Sequence, residues 1–249
     1  MNKSTHYRQE LHQLVNWDDY LRRESGLPGP RGNLELAQVV AEEGKLELFE
    51  RYALLSADVA PVNSPDEFLA FCGVLGFGRL LAEGDRKYLK RIRSFASDPR
   101  WRTREAVAMA LQCWGEADMD SLITEMETWS QGTPLEQRAA IAALCEPRLL
   151  KQADRAAKVL QILDAVTASV ARQKERKSSA FEALRKGLGY CWSVAVAALP
   201  GEGKALMEKW MASRDKDILW IMRENLKKNR LLRCDEQWVK EMTLKISQL

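Results

Sequence analysis

At 249 residues, with 46% hydrophobic content and a net charge of +3, the chain can bury a substantial core and falls well short of a strongly basic nucleic-acid wrapper. No apolar run reaches the roughly 18 residues of a membrane span, and the longest candidate, Leu188 to Leu199, is interrupted by Ser193. The N-terminus, with His6, Arg8, Glu10 and Asp18, has no apolar signal-peptide core, so the expected address is the cytoplasm. In chain order, the pattern predicts a helix from about Tyr7 to Ser25, a rigid loop over Leu27 to Gly32, a helix capped by Asn33 to about Glu43, and a short helix from Lys45 to Leu55. Helix pairs follow: 64–83 with 86–97, 99–115 with 118–131, 133–145 with 148–172, 179–199 with 202–213, and 215–230 with 235–248. Strand content is expected near zero because alternating runs bounded by hairpin turns are absent.

The pairs begin on recurring start signals: Ser64-Pro65-Asp66-Glu67, Asp98-Pro99, Thr133-Pro134-Leu135-Glu136, Ser179 and Asp215, spaced 34, 35, 46 and 36 residues apart. A Ser, Thr or Asp oxygen accepts from an orphan N–H of the first turn, Pro lacks the N–H that would go unpaired, and Glu reaches back to close a capping box. The 46-residue step is read as an insertion at the turn holding Arg172 to Lys177, a solvated charge run. One hairpin cannot bury its apolar face alone, so such a period means stacked hairpins. The expectation is an all-α, right-handed α-solenoid, a single domain over 1–249, with N-terminal capping helices over 1–63 and five HEAT-like pairs over 64–249. Leu11, Leu14, Val15 and Leu21 should cap the first layer, and Val239, Met242 and Ile246 the last.

The five cysteines, at 72, 113, 145, 191 and 234, form no CxxC pair and sit in apolar stretches, which suits buried free thiols. The only histidines, His6 and His12, do not share a helix face, so no metal site and no cofactor are expected. The glycines at 73, 76 and 78 read as close-packing points or a helix bend. Pro200-Gly201-Glu202-Gly203-Lys204 lacks the first glycine, the hydroxyl and the preceding strand of a phosphate loop.

Charge alternates in blocks: −5 over 1–83, +6 over 84–104, −5 over 105–170 and +7 over 171–249. The first basic block surrounds Trp101 and includes Arg100, Arg102 and Arg104; the second includes Arg185, Lys186, Lys204, Lys209, Arg223, Lys227 and Lys228 among Trp192, Trp210 and Trp220. Cations neutralise phosphates and aromatic faces stack on bases, which would suit a groove for nucleic acid, although most tryptophans should be packing residues. Arg104 and Arg138 open two superimposable Ala-rich stripes and could either line that groove or bond a neighbouring turn.

Asp98-Pro99-Arg100-Trp101-Arg102-Thr103-Arg104-Glu105-Ala106 and, above all, Trp220-Ile221-Met222-Arg223-Glu224-Asn225-Leu226-Lys227-Lys228-Asn229 resemble the HEAT-like repeat proteins of the bacterial DNA alkylation repair group. The resemblance implies an alkylpurine glycosylase that holds duplex DNA, with Trp220 as the last-repeat Trp and Arg185 as the preceding Arg. That pattern sets an Asp one turn after a Trp; the acids nearest that place are Glu105, four residues after Trp101, and Glu136. Neither is the aspartate of the pattern. The function expected is therefore a noncatalytic HEAT-like binding protein whose partly basic groove, lined by Trp101, Arg104, Arg138, Arg185, Trp220, Arg223 and Lys227, meets a protein, a peptide or duplex DNA. A glycosylase-like repair protein is the alternative.

Overall fold

The computed structural model describes residues 2–248; among them 73% are helical, in fifteen helices with no strand. The fold is all-α, and no helix among the described residues is long and apolar enough to cross a membrane. Contacts divide the chain into two compact units, one up to Ala117 and one from Asp118.

The first unit contains α1 (Lys3–His12), α2 (Asp18–Glu24), α3 (Leu34–Glu43), α4 (Leu46–Ala53), α5 (Pro65–Ala82), α6 (Lys87–Phe95) and α7 (Trp101–Ala117). The single helix expected from Tyr7 to Ser25 is broken. Trp17 Nε1 donates to Leu11 O at 2.9 Å, and Asn16 Oδ1 accepts from Asp18 N at 2.9 Å to begin α2. Leu11 and Leu21 are buried as expected, but Leu14 and Val15 lie in the break and are exposed.

Helix α5 is the hub of this unit, packed by α2, α3, α4, α6 and α7. Its glycines permit that crowding and are packing points rather than a bend. A Cβ on Gly73 would stand 2.7 Å from Ala53 N and 2.8 Å from Phe49 O, so α4 can lie against α5 only because no side chain is present. Gly78 meets the Ala110 backbone of α7 in the same way.

The start signals of this unit work differently from their sequence reading. Ser64 Oγ accepts from Glu67 N, but the Glu67 carboxylate takes Asn63 N at 2.7 Å and Arg102 Nη1 at 3.1 Å, so the expected capping box is not closed. Asp98 does not cap a helix at Pro99. Its carboxylate holds the Arg100 amide and guanidinium, and α7 begins at Trp101.

The second unit contains α8 (Met119–Trp129), α9 (Pro134–Leu144), α10 (Ala153–Val170), α11 (Ser179–Ala198), α12 (Pro200–Met211), α13 (Lys216–Leu226), α14 (Asn229–Cys234) and α15 (Glu236–Ser247). Helices α9, α11, α13 and α15 pack in succession, and α8, α10 and α12 do the same beside them. Thr133 and Glu136 close a full capping box, and Asp215 accepts from Asp217 N and Ile218 N. The cap of α11 is Ser178 rather than Ser179. Helix α13 also stops earlier than expected, because Lys228 is extended and starts the additional short helix α14.

The charged run between α10 and α11 is more than a solvated end. Arg176 donates to Val170 O and Ala171 O and pairs with Asp215 at 2.6 Å and Asp217 at 3.0 Å. All five cysteines are free; Cys72, Cys145 and Cys191 are buried, whereas Cys113 and Cys234 are partly exposed, against expectation. Burial pushes the Cys72 thiol well above its usual range.

Candidate functional site

The α13–α15 region holds three of the side chains named from the sequence. Trp220 and Arg223 lie at helical spacing on α13 with Glu224 beside them, and Lys227 follows as its C-cap residue, still in helical conformation. They border a groove of about 810 Å³ whose apolar surface is supplied by Leu226, Leu232, Val239, Leu244 and Ile246. Leu244 is 66% exposed there. Arg223 Nη2 donates to Ile246 O at 2.9 Å, which ties α13 to the C-terminal turn of α15, where a cation is favoured. Lys227 pairs with Glu224 at 2.5 Å, and Lys240 on α15 also borders the groove. Lys240 is paired in turn with Glu236 at 2.7 Å, so the rim carries three cations against two carboxylates, a small positive excess.

Arg185 and Trp220 are brought together. The Arg185 guanidinium lies 4.3 Å from the Trp220 ring centroid, and Arg185 Nη1 donates to Asp217 at 2.6 Å. Gly189 leaves room for the indole on α11: a Cβ there would stand 3.2 Å from Trp220 Cζ3. Sequence reading missed Asp217, although its place two residues after the Asp215 cap was a signal that it sits at a helix start. Asp217 is held between Arg176 and Arg185, so this carboxylate is already neutralised by two guanidinium groups. Hydrogen bonding from Arg176 also holds Asp215 below the usual carboxylate range.

The remaining candidates are dispersed or structural. Glu136 is spent on its capping box, its Oε2 accepting from Thr133 N at 2.8 Å. Arg138 is half-buried on α9 and has partners of its own. Arg104 Nη1 donates to Asp98 O at 2.6 Å and Pro99 O at 3.0 Å, so it bonds the turn that enters its own helix. In the first unit Trp101 and Glu105 share one cavity of about 320 Å³, with Phe68, Phe71 and Arg102 on its surface.

The basic blocks do not translate into rows of free cations. Arg100 and Arg102 are buried. Arg91 pairs with Glu50, Lys87 with Asp85, Lys204 with Asp235 and Lys209 with Asp164. Among the tryptophans of the second block, Trp192 is buried with its Nε1 on Thr167, and Trp210 donates to Asp164.

No family model, no curated protein and no solved structure matches this chain.

Proposed function

We propose that the chain is a noncatalytic binding protein built from HEAT-like helix pairs stacked as an α-solenoid, and that it takes an amphipathic, acid-flanked helix of a partner protein in the groove of α13 to α15. The observation that carries this reading is an apolar floor that shares one groove with cations: Leu232, Leu244 and Val239 line it together with Arg223, Lys227 and Lys240. An amphipathic helix offers apolar anchors at i, i+3, i+4 and i+7 to such a groove. A duplex backbone offers phosphates and no apolar stripe to such a floor. The stacked arrangement is supported by the succession of α9, α11 and α13 beside that of α8, α10 and α12.

The test is fluorescence anisotropy with two 16-residue helical peptides that share one leucine stripe and carry Glu or Lys on its flanks. The Glu-flanked peptide should bind, and Leu244→Asp should weaken it about tenfold or more, the range for losing an apolar anchor. Equal binding of the Lys-flanked peptide, or none of either, overturns the reading. A 20-base-pair duplex that binds with steeply salt-dependent affinity would favour nucleic acid instead.

The stacking of Arg185 on Trp220 favours a second reading, an alkylpurine glycosylase-like protein, because those are the two residues that the family resemblance singles out. It predicts release of methylated purine from duplex DNA, lost in Trp220→Ala. Absence of release at high protein concentration disposes of it.

A further inference from the structure

The cavity of the first unit has a construction of its own. Its lining comes from the loop before α3, with Leu27 and Pro30, from Phe68 and Phe71 of α5, and from Trp101 at the first turn of α7. Its volume of about 320 Å³ lies at the small end of small-molecule sites, which run from about 300 to 1,000 Å³. Trp101 is 47% exposed, whereas Trp114, Trp129, Trp192 and Trp238 are buried. Its ring is steadied by Arg102, whose guanidinium carbon lies 4.4 Å from the ring centroid.

Two arginines border the cavity, and they differ in what the protein already gives them. Arg102 borders the cavity and its side chain is only 8% exposed; Nη1 donates to Glu67, and Nη2 to Gly29 O at 2.7 Å and Asn63 Oδ1 at 3.3 Å. Its Nε–H has no acceptor among the described residues. That atom is shielded from solvent, so its unpaired state belongs to the interior of the fold and not to the cavity surface. Arg31 borders the cavity from the loop side, is exposed, and has neither an ion pair nor a hydrogen bond among the described residues. Glu105 also borders the cavity but has interactions of its own, so an entering anion is steered toward Arg31.

We infer that this cavity binds a small planar aromatic molecule carrying one anionic group, its ring against Trp101, Phe68 and Phe71 and its charge at Arg31. The site lies wholly within the first unit and is independent of the α13–α15 groove. A blocking substitution can be made at Gly32, which lines the cavity: a Cβ there would stand 3.8 Å from Phe68 Cδ2, in ordinary contact. Gly32→Leu therefore fills the cavity without backbone conflict.

The experiment is isothermal titration calorimetry of the full chain with 2-naphthoate and its neutral counterpart 2-naphthalenemethanol. Saturable one-to-one binding of naphthoate is expected, weakened about tenfold or more by Arg31→Ala, by Trp101→Ala and by loss of the carboxylate, and abolished by Gly32→Leu. Arg31 and Trp101 are exposed, so unchanged melting temperatures certify that the variants fold. Leu244→Asp should leave naphthoate binding untouched. No saturable binding at millimolar concentration overturns the assignment, as does binding indifferent to the Arg31, Trp101 and Gly32 variants. Preference for an acetylated Asp-Trp-Asp tripeptide over naphthoate also overturns it, and reassigns the cavity to a protein segment.

Discussion

Arg100 shows how far a residue's role can depart from its local composition. It reads as one cation in a basic block, yet it is 2% exposed, holds Asp98 through Nε and Nη2, and donates to Leu55 O at 2.9 Å and Ala60 O at 3.2 Å. Removing one partner of a buried pair leaves the other charge uncompensated, which costs about 3 to 5 kcal/mol. Arg100→Met should therefore lower the urea midpoint sharply, while Arg104→Ala, losing two half-exposed bonds to carbonyls, should cost about 1 kcal/mol. Comparable losses in the two variants would refute the distinction. Which arginine of a run such as Arg100, Arg102, Arg104 turns inward depends on where the chain from Leu55 to Asn63 presents its carbonyls and side chains, and no local pattern encodes that.

Among the elements, capping was the most legible feature and the easiest to misplace by one residue. Thr133 and Asp215 cap where their sequence signals set them. Two adjacent serines at the start of α11 leave the local signal degenerate, and the chain uses Ser178, whose Oγ accepts from Phe181 N at 3.2 Å. Ser178→Ala should cost about 1 kcal/mol by thermal or urea unfolding and Ser179→Ala close to nothing. The reverse order would reinstate Ser179. At Gly73, alanine would gain up to about 1 kcal/mol in helix propensity. The contact it would force against Ala53 N and Phe49 O outweighs that gain, because overpacking costs about 1 to 3 kcal/mol. Gly73→Ala should be destabilising, and an alanine variant more stable than the parent would mean that α4 can move away.

For the whole molecule, ion pairs anchor each unit separately. Arg51 and Tyr52 both bond Asp18, and Arg176 bonds Asp215; in each case the arginine hydrogen bond is the largest cause holding the carboxyl below its ordinary value of 3.8. A depressed folded-state value means that the stabilisation is complete above the unfolded value and disappears as pH falls through the folded one. Stability should thus decline progressively below about pH 4, and Asp215→Asn should flatten that decline. An unchanged acid limb in the Asn variant would show that other carboxylates govern it. Tyr52 belongs to the same cluster, its hydroxyl raised far above the usual phenol range by burial and by Asp18.

By itself, the sequence determined that the chain is helical, where most helices begin, and which stripes are apolar, because caps and 3.6-residue periodicity are local properties of a segment. It also named Trp220, Arg223 and Lys227, and their spacing of three and four residues is what makes them neighbours once that segment is helical. Tertiary structure alone decided the break after His12, the inward turn of Arg100 and Arg102, the clasp of Asp217 between Arg176 and Arg185, and the juxtaposition of Leu27, Phe68 and Trp101 around one cavity. Each of these joins groups distant in sequence or balances a local preference against a distant partner. The relevant energies arise only once helices have packed and water has left between them.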